Sequence, residues 1–282
     1  MSVRTVAGTD VRSIRRSSVV VGVVATFAAF VGLAMLGSSE VHPHPVRTTW
    51  GLAALVAWVL PLLLAPLSYL AIAGDRERGT ITYHLGLPNS RAAYYGGKYV
   101  TRAGIATLTT ALGVAIAVAV AFATYEHAPD PGQFLVFGGL SVLFALAMVG
   151  VFVAISASVA TRSRAMVGVV GAYFVLSAFW VGPLPVLNLN TVLDAIASLP
   201  GVTIADSTRA LIAALSPAGA YFNTLPELVW ADAPARYTVF AQFDGRSDYL
   251  GFEPWYNVLV LLAWTGLAPV VGYLRFRQAE LG

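Results

Sequence analysis

Six apolar runs, each near or above the length that crosses a bilayer, constrain this chain more than any other feature. They cover roughly residues 19–36, 50–73, 103–125, 134–160, 165–187 and 255–274. A helix rises about 1.5 Å per residue, so about 20 residues span a hydrocarbon core of roughly 30 Å. Inside lipid a backbone must satisfy its own hydrogen bonds, which leaves helices as the form such runs adopt. Of the 282 residues, 57% are hydrophobic and only 11% are charged, against about 25% charged in ordinary soluble domains. The expected fold is therefore all-α: a polytopic membrane protein with six transmembrane helices.

Charge then orients the bundle. With the N-terminus placed inside, the inner segments hold thirteen of the seventeen basic residues and a net charge of +9, and the outer segments carry −6. Lysine and arginine collect on the cytoplasmic side of spans, so both termini are expected in the cytoplasm of a multi-pass cell-membrane protein. Arg15-Arg16-Ser17-Ser18 ahead of the first span evokes a twin-arginine leader. The apolar run is longer than a leader needs and no clear small-x-small cleavage site follows, so it is read as an uncleaved span. Upstream, Val3, Val6, Ala7, Val11 and Ile14 fall on one helical face, with Arg4, Arg12, Arg15 and Arg16 on the other. That pattern suits an interfacial helix over residues 1–18 and equally a basic tail that only fixes topology.

What the spans lack excludes several functions. As drawn, they contain no Asp, Glu, Lys, Arg or His. Intramembrane charges mark proton relays, ion paths and voltage sensors, so secondary transport and ion pumping are disfavoured. No catalytic residue is expected: no Ser–His pair sits at bilayer depth and there is no HExxH. Cysteine is absent, which removes disulfides and thiolate metal sites. His42-Pro43-His44 and the acids Asp244, Asp248 and Glu253 are read as loops, so no metal site is expected. Two stripes of small residues, Ala111/Ala115/Ala119/Ala123 and Gly150/Ala154/Ser158, are spaced for close helix approach or align by chance in an alanine-rich chain. Pro61 and Pro66 should kink the second span. The hydroxyls and aromatics of the interior, such as Ser141, Ser156 and Ser177, read as packing groups. No residue is assigned to substrate binding.

One polar island remains, the inner loop 74–102. Asp75 and Glu77 stand where a short helix would begin. Ile81 and Leu85 share a face at i, i+4, and Gly86 and Pro88 stop the helix. Asn89 or Ser90 can cap a second helix that runs through Arg91 and Lys98 into the third span. A short helix with exposed Ile81, Tyr83 and Leu85 has no membrane to cross and is expected to dock into a partner's groove. Gly96-Gly97-Lys98-Tyr99 lacks the upstream glycine and the Ser or Thr of a phosphate-binding loop.

The string Asp75-Arg76-Glu77-Arg78-Gly79-Thr80, then Leu85, then Leu87-Pro88-Asn89-Ser90-Arg91, then Gly97-Lys98 resembles the first cytoplasmic loop of permease subunits of type-2, exporter-class ABC transporters. The motif covers about 25 residues, and the six-span layout covers the chain. The departures are mild: His84 and Gly86 stand where stronger helix formers are usual, which shortens the helix.

The resemblance implies one permease domain over 1–282 and a coupling helix at 79–87 that contacts an ATPase. It implies an interface built from Asp75, Glu77, Arg78, Gly79, Thr80, Ile81, Tyr83, Leu85, Pro88, Ser90, Arg91 and Lys98. Within it, Glu77 would pair with a base, and Arg91 and Lys98 would anchor the return. A separate nucleotide-binding subunit would bind ATP and Mg, and a second copy or a paired permease would complete the pathway in the lipid bilayer. Nucleic acid is not an expected partner. In the outer segment 188–254, Val192–Ser198 and Ser207–Leu215 read as helices around Pro200-Gly201, with Asp206 or Ser207 as a cap. Tyr221, Phe222 and Trp230 read as interfacial anchors, and the resemblance implies re-entrant helices closing the outer mouth. The rival class is a stand-alone membrane scaffold, or a channel or enzyme subunit, whose inner loop docks another protein.

Overall fold

Polar caps start most of the long helices. In the computed structural model, which describes residues 2–15, 17–86, 90–181, 187–231 and 249–279, Ser17, Ser90, Asp130 and Thr161 each accept a backbone N–H of the helix that follows. Such side chains satisfy donors that the first turn leaves without a partner. The helices they open are α2 (Ser18–Ser39), α7 (Arg91–Thr124), α8 (Pro131–Ser158) and α9 (Arg162–Tyr173). Before them lies α1 (Val3–Arg15). Between α2 and α7 come α3 (Val46–Ala54), α4 (Leu60–Tyr69), α5 (Ala73–Glu77) and α6 (Thr80–Gly86). After α9 follow α10 (Phe179–Val181), α11 (Leu189–Ala197), α12 (Asp206–Ala214), α13 (Pro217–Leu228) and α14 (Pro254–Gln278). Every regular element among the described residues is helical, and six helical stretches are long and apolar enough to cross a membrane.

Helix α8 is apolar all round and forms the axis of the bundle, packed by α14, α7, α4, α9 and α13. Its stripe Gly150–Ala154 receives α14: a β-carbon on Gly272 would lie 2.5 Å from the Cα of Ala154. The other small stripe behaves differently. Ala111, Ala115, Ala119 and Ala123 are exposed, whereas Thr110, Gly113, Ala117 and Ala121 are buried. The seam lies where α2 offers large knobs, with Phe27 and Val31 against Gly113.

The second span bends for a definable reason. Pro61 has no N–H to give the carbonyl of Ala57, and a π-helical turn over Leu55–Val59 precedes α4. The hydroxyl of Ser177, itself in a π-helical turn over Phe174–Ala178, donates to that carbonyl at 2.5 Å. Pro269 repeats the device in α14, where the freed carbonyl of Thr265 accepts from the Tyr99 hydroxyl at 3.5 Å.

Candidate functional site

The inner loop begins at an elbow. Between α4 and α5 the helix breaks at residues 70–72, and the break would strand buried backbone groups. Ser156 of α8 resolves it: its hydroxyl donates to the Tyr69 carbonyl at 2.7 Å and accepts the N–H groups of Ile72 and Ala73 at 3.0 Å each. The Arg102 guanidinium Nε donates to the Leu67 carbonyl at 2.6 Å. The direction in which the chain leaves the second span is therefore set by α8 and α7.

Past the elbow, α5 and α6 are separate helices. Gly79 sits between them at φ +70, the left-handed region in which a glycine ends a helix without a Cβ penalty. Asp75 and Glu77 thus belong to α5 and do not open the helix that carries Ile81, contrary to the expectation from their acidity. Asp75 organises the turn. It accepts from Arg78 Nη2 at 2.8 Å and from the Tyr94 hydroxyl at 2.7 Å, and pairs with Lys98 Nζ at 2.9 Å. Thr80 Oγ1 donates to the Asp75 carbonyl at 3.2 Å.

Lys98 has a second carboxylate. Its Nζ donates to Asp10 of α1 at 2.9 Å, and Arg102 Nη1 donates to the other oxygen of Asp10 at 2.6 Å. Asp10, Asp75, Lys98 and Arg102 are nearly buried, so one ionic cluster ties α1, α5 and α7. Removing one member of such a cluster leaves an uncompensated buried charge, which costs about 3–5 kcal/mol. Val6 packs on Gly97, where a β-carbon would lie 2.6 Å from it. Gly97 is thus a seat for α1.

The return of the loop and its neighbour are also fastened. Ser90 accepts the Ala93 N–H and caps α7. Arg91 Nη1 donates to the carbonyls of Phe276, Arg277 and Ala279 at the end of α14. Glu77 accepts the N–H of Arg162 at 2.6 Å, with the guanidinium at 3.9 Å. Arg76 donates to the Val159 carbonyl at 3.0 Å. On α6 the side chains divide sharply. Ile81 is buried in the chain's own core and Tyr83 is 80% exposed. The expectation that Ile81 is exposed fails because the break at Gly79 turns that face of α6 inward. Leu85 lies in α6 by its backbone; Pro88 and Asn89 lie outside the described residues.

The family profile described as ABC-2 family transporter protein matches residues 4–281. The chain belongs to the ABC-2 transporter family. It is also similar to the probable ABC transporter permease protein NosY of Pseudomonas aeruginosa, 29% identical over 149 residues, covering 52% of this chain and 54% of that one. The aligned part spans about half the length of that curated relative.

The end of the bundle opposite the loop 74–102 corrects another expectation. Tyr221 is fully buried, its hydroxyl 2.9 Å from that of Ser141 and its ring stacked on Phe144 at 5.2 Å. Trp230 is buried too and donates to Thr49 Oγ1 at 2.8 Å, and Phe222 meets Trp50 edge-on. Tyr221 and Trp230 are packed inside the bundle, so they are not interfacial anchors, whereas Phe222 is half-buried. Neither Asp206 nor Ser207 caps α12, whose cap position is Ala205. Trp264 of α14 donates to the Leu215 carbonyl between α12 and α13 at 2.9 Å. Since Trp264 stands ten residues into α14, about 15 Å along it, the α12–α13 turn dips into the bundle.

Sequence reasoning missed Asp10, Ser156 and Arg162 as parts of the inner site. Asp10 carried a signal, since it stands i+4 from Val6 and i+3 from Ala7 and so lies on the packed face of α1. Ser156 carried none, because a serine in an apolar span ordinarily bonds its own helix. Among the described residues no group of His, Asp or Glu is placed to hold a metal ion.

Proposed function

We propose that this chain is the translocating half of an ABC-type exporter and that α6 is its coupling helix. A separate cytosolic ATPase subunit, holding ATP and Mg, docks on α6, and its movements reach the bundle through α5, the elbow at Ser156 and the cluster around Asp75. The chain acts as a homodimer or with a paired permease. The loop and both termini face the cytoplasm, a placement supported by the concentration of basic residues at that end.

The observation that carries this reading is the contrast within α6. Tyr83 is left almost fully to solvent while Ile81, two residues away, is locked into the core. An aromatic side chain on a rigid mount is a typical binding hot spot. Tyr83→Ala is expected to weaken association with the ATPase subunit about 30-fold or more and to lower transport-coupled ATP hydrolysis in proteoliposomes. The stability of the permease itself should stay within about 0.5 kcal/mol of wild type, as for other exposed sites. Unchanged association would overturn the assignment of α6.

A further inference from the structure

A groove of about 660 Å³ runs along the outside of the bundle between α8 and α14. Its lining is almost wholly apolar, with Ile155 and Val159 on one wall and Leu267 and Val271 on the other. Along α14 the lining extends from Val260 to Val271, eleven residues or about 16 Å. That is about half of a hydrocarbon core of roughly 30 Å, the depth of one leaflet. Its upper end is closed by Leu215 of the α12–α13 turn and by Trp264, whose indole N–H is already taken by the Leu215 carbonyl. Among the described residues that line that end, no other polar group is present.

The lower end differs. Arg275 stands four residues beyond Val271 and so continues the same face of α14. Arg164 stands five residues beyond Val159, in the first turn of α9. Both are exposed, and among the described residues neither enters an ion pair. The groove thus offers apolar length for half a bilayer and then two cations.

We propose that the groove binds an anionic phospholipid of the leaflet at the charged end of the bundle. One acyl chain lies along α8 and α14 up to Leu215, and the phosphate sits between Arg275 and Arg164. A second copy of the chain fits less well. Of the acids described at this end, Asp10 and Asp75 are buried in their own ion pairs and Glu77 faces Arg162, which leaves none to meet these arginines. The site needs no ATPase, so it stands or falls separately from the coupling role of α6.

The test uses the full chain in phosphatidylcholine nanodiscs containing phosphatidylglycerol with a photoreactive diazirine at its acyl terminus. Adducts are mapped by mass spectrometry and compared with those of phosphatidylcholine carrying the same group. Adducts are expected near Trp264 and Leu267, several-fold more from phosphatidylglycerol. Arg275→Gln and Arg164→Gln should each lower the phosphatidylglycerol signal about five-fold and leave the phosphatidylcholine signal unchanged. Leu267→Trp, a change at an exposed position that fills the groove without touching the core, should remove the adducts. Equal labelling by the two lipids would mean an ordinary annular shell and would overturn the proposal. So would an unlabelled groove in which Leu267→Cys forms a disulfide with a second copy.

Discussion

The two ends of this bundle are closed by opposite chemistries. At the inner end, α1, α5 and α7 are joined by Asp10, Asp75, Lys98 and Arg102 in a nearly buried ionic cluster. At the outer end, α13 is held by rings and hydroxyls: Tyr221 on Phe144 and Ser141, and Trp230 on Thr49. Buried ions tolerate little displacement, because separating them leaves charges in a poor solvent. Aromatic contacts and neutral hydrogen bonds yield in smaller steps. Under the proposed docking at α6, force would enter at the stiffer of the two ends.

Substitutions can break that contrast. The largest loss is expected for Asp75→Ala, which strips three partners at once. It should lower the unfolding free energy in mild detergent by about 3–5 kcal/mol. A loss no greater than that of an ordinary surface change would mean that the inner end is not stiff. Next comes Gly219→Ala in α13, where a new β-carbon would lie 1.7 Å from the Ala213 carbonyl oxygen. Overpacking there should lower stability by about 1–3 kcal/mol and increase proteolysis of the outer segment while the inner loop stays protected. The smallest effect belongs to Tyr221→Phe, which removes one neutral hydrogen bond and should lower stability by about 1 kcal/mol. If Tyr221→Phe matched Asp75→Ala, the contrast between the ends would fail.

The sequence carried the spans, because runs of 20 apolar residues need no tertiary information. It also carried the start of the helix that follows the loop, since Ser90 caps α7 by a local rule. What it did not carry was which way each side chain faces. Ile81 turned inward because a left-handed glycine rotated its helix. Tyr221 and Trp230 were drawn from the interface into the bundle because Ser141 and Thr49 wait there for them, eighty or more residues away in the chain. The alanine stripe of α7 misled for the same reason: a seam is chosen by the partner's knobs, which spacing within one helix does not record.

The central claim, that force enters at α6, has a direct test. The chain contains no cysteine, so Tyr83→Cys introduces a single thiol at the proposed contact, and Leu199→Cys places one at an exposed position between α11 and α12. Each variant is treated with a short bifunctional crosslinker in native membranes. The account predicts that Tyr83→Cys captures an ATP-hydrolysing subunit and that Leu199→Cys captures none. Capture of such a subunit from Leu199→Cys, or none from Tyr83→Cys, would contradict it.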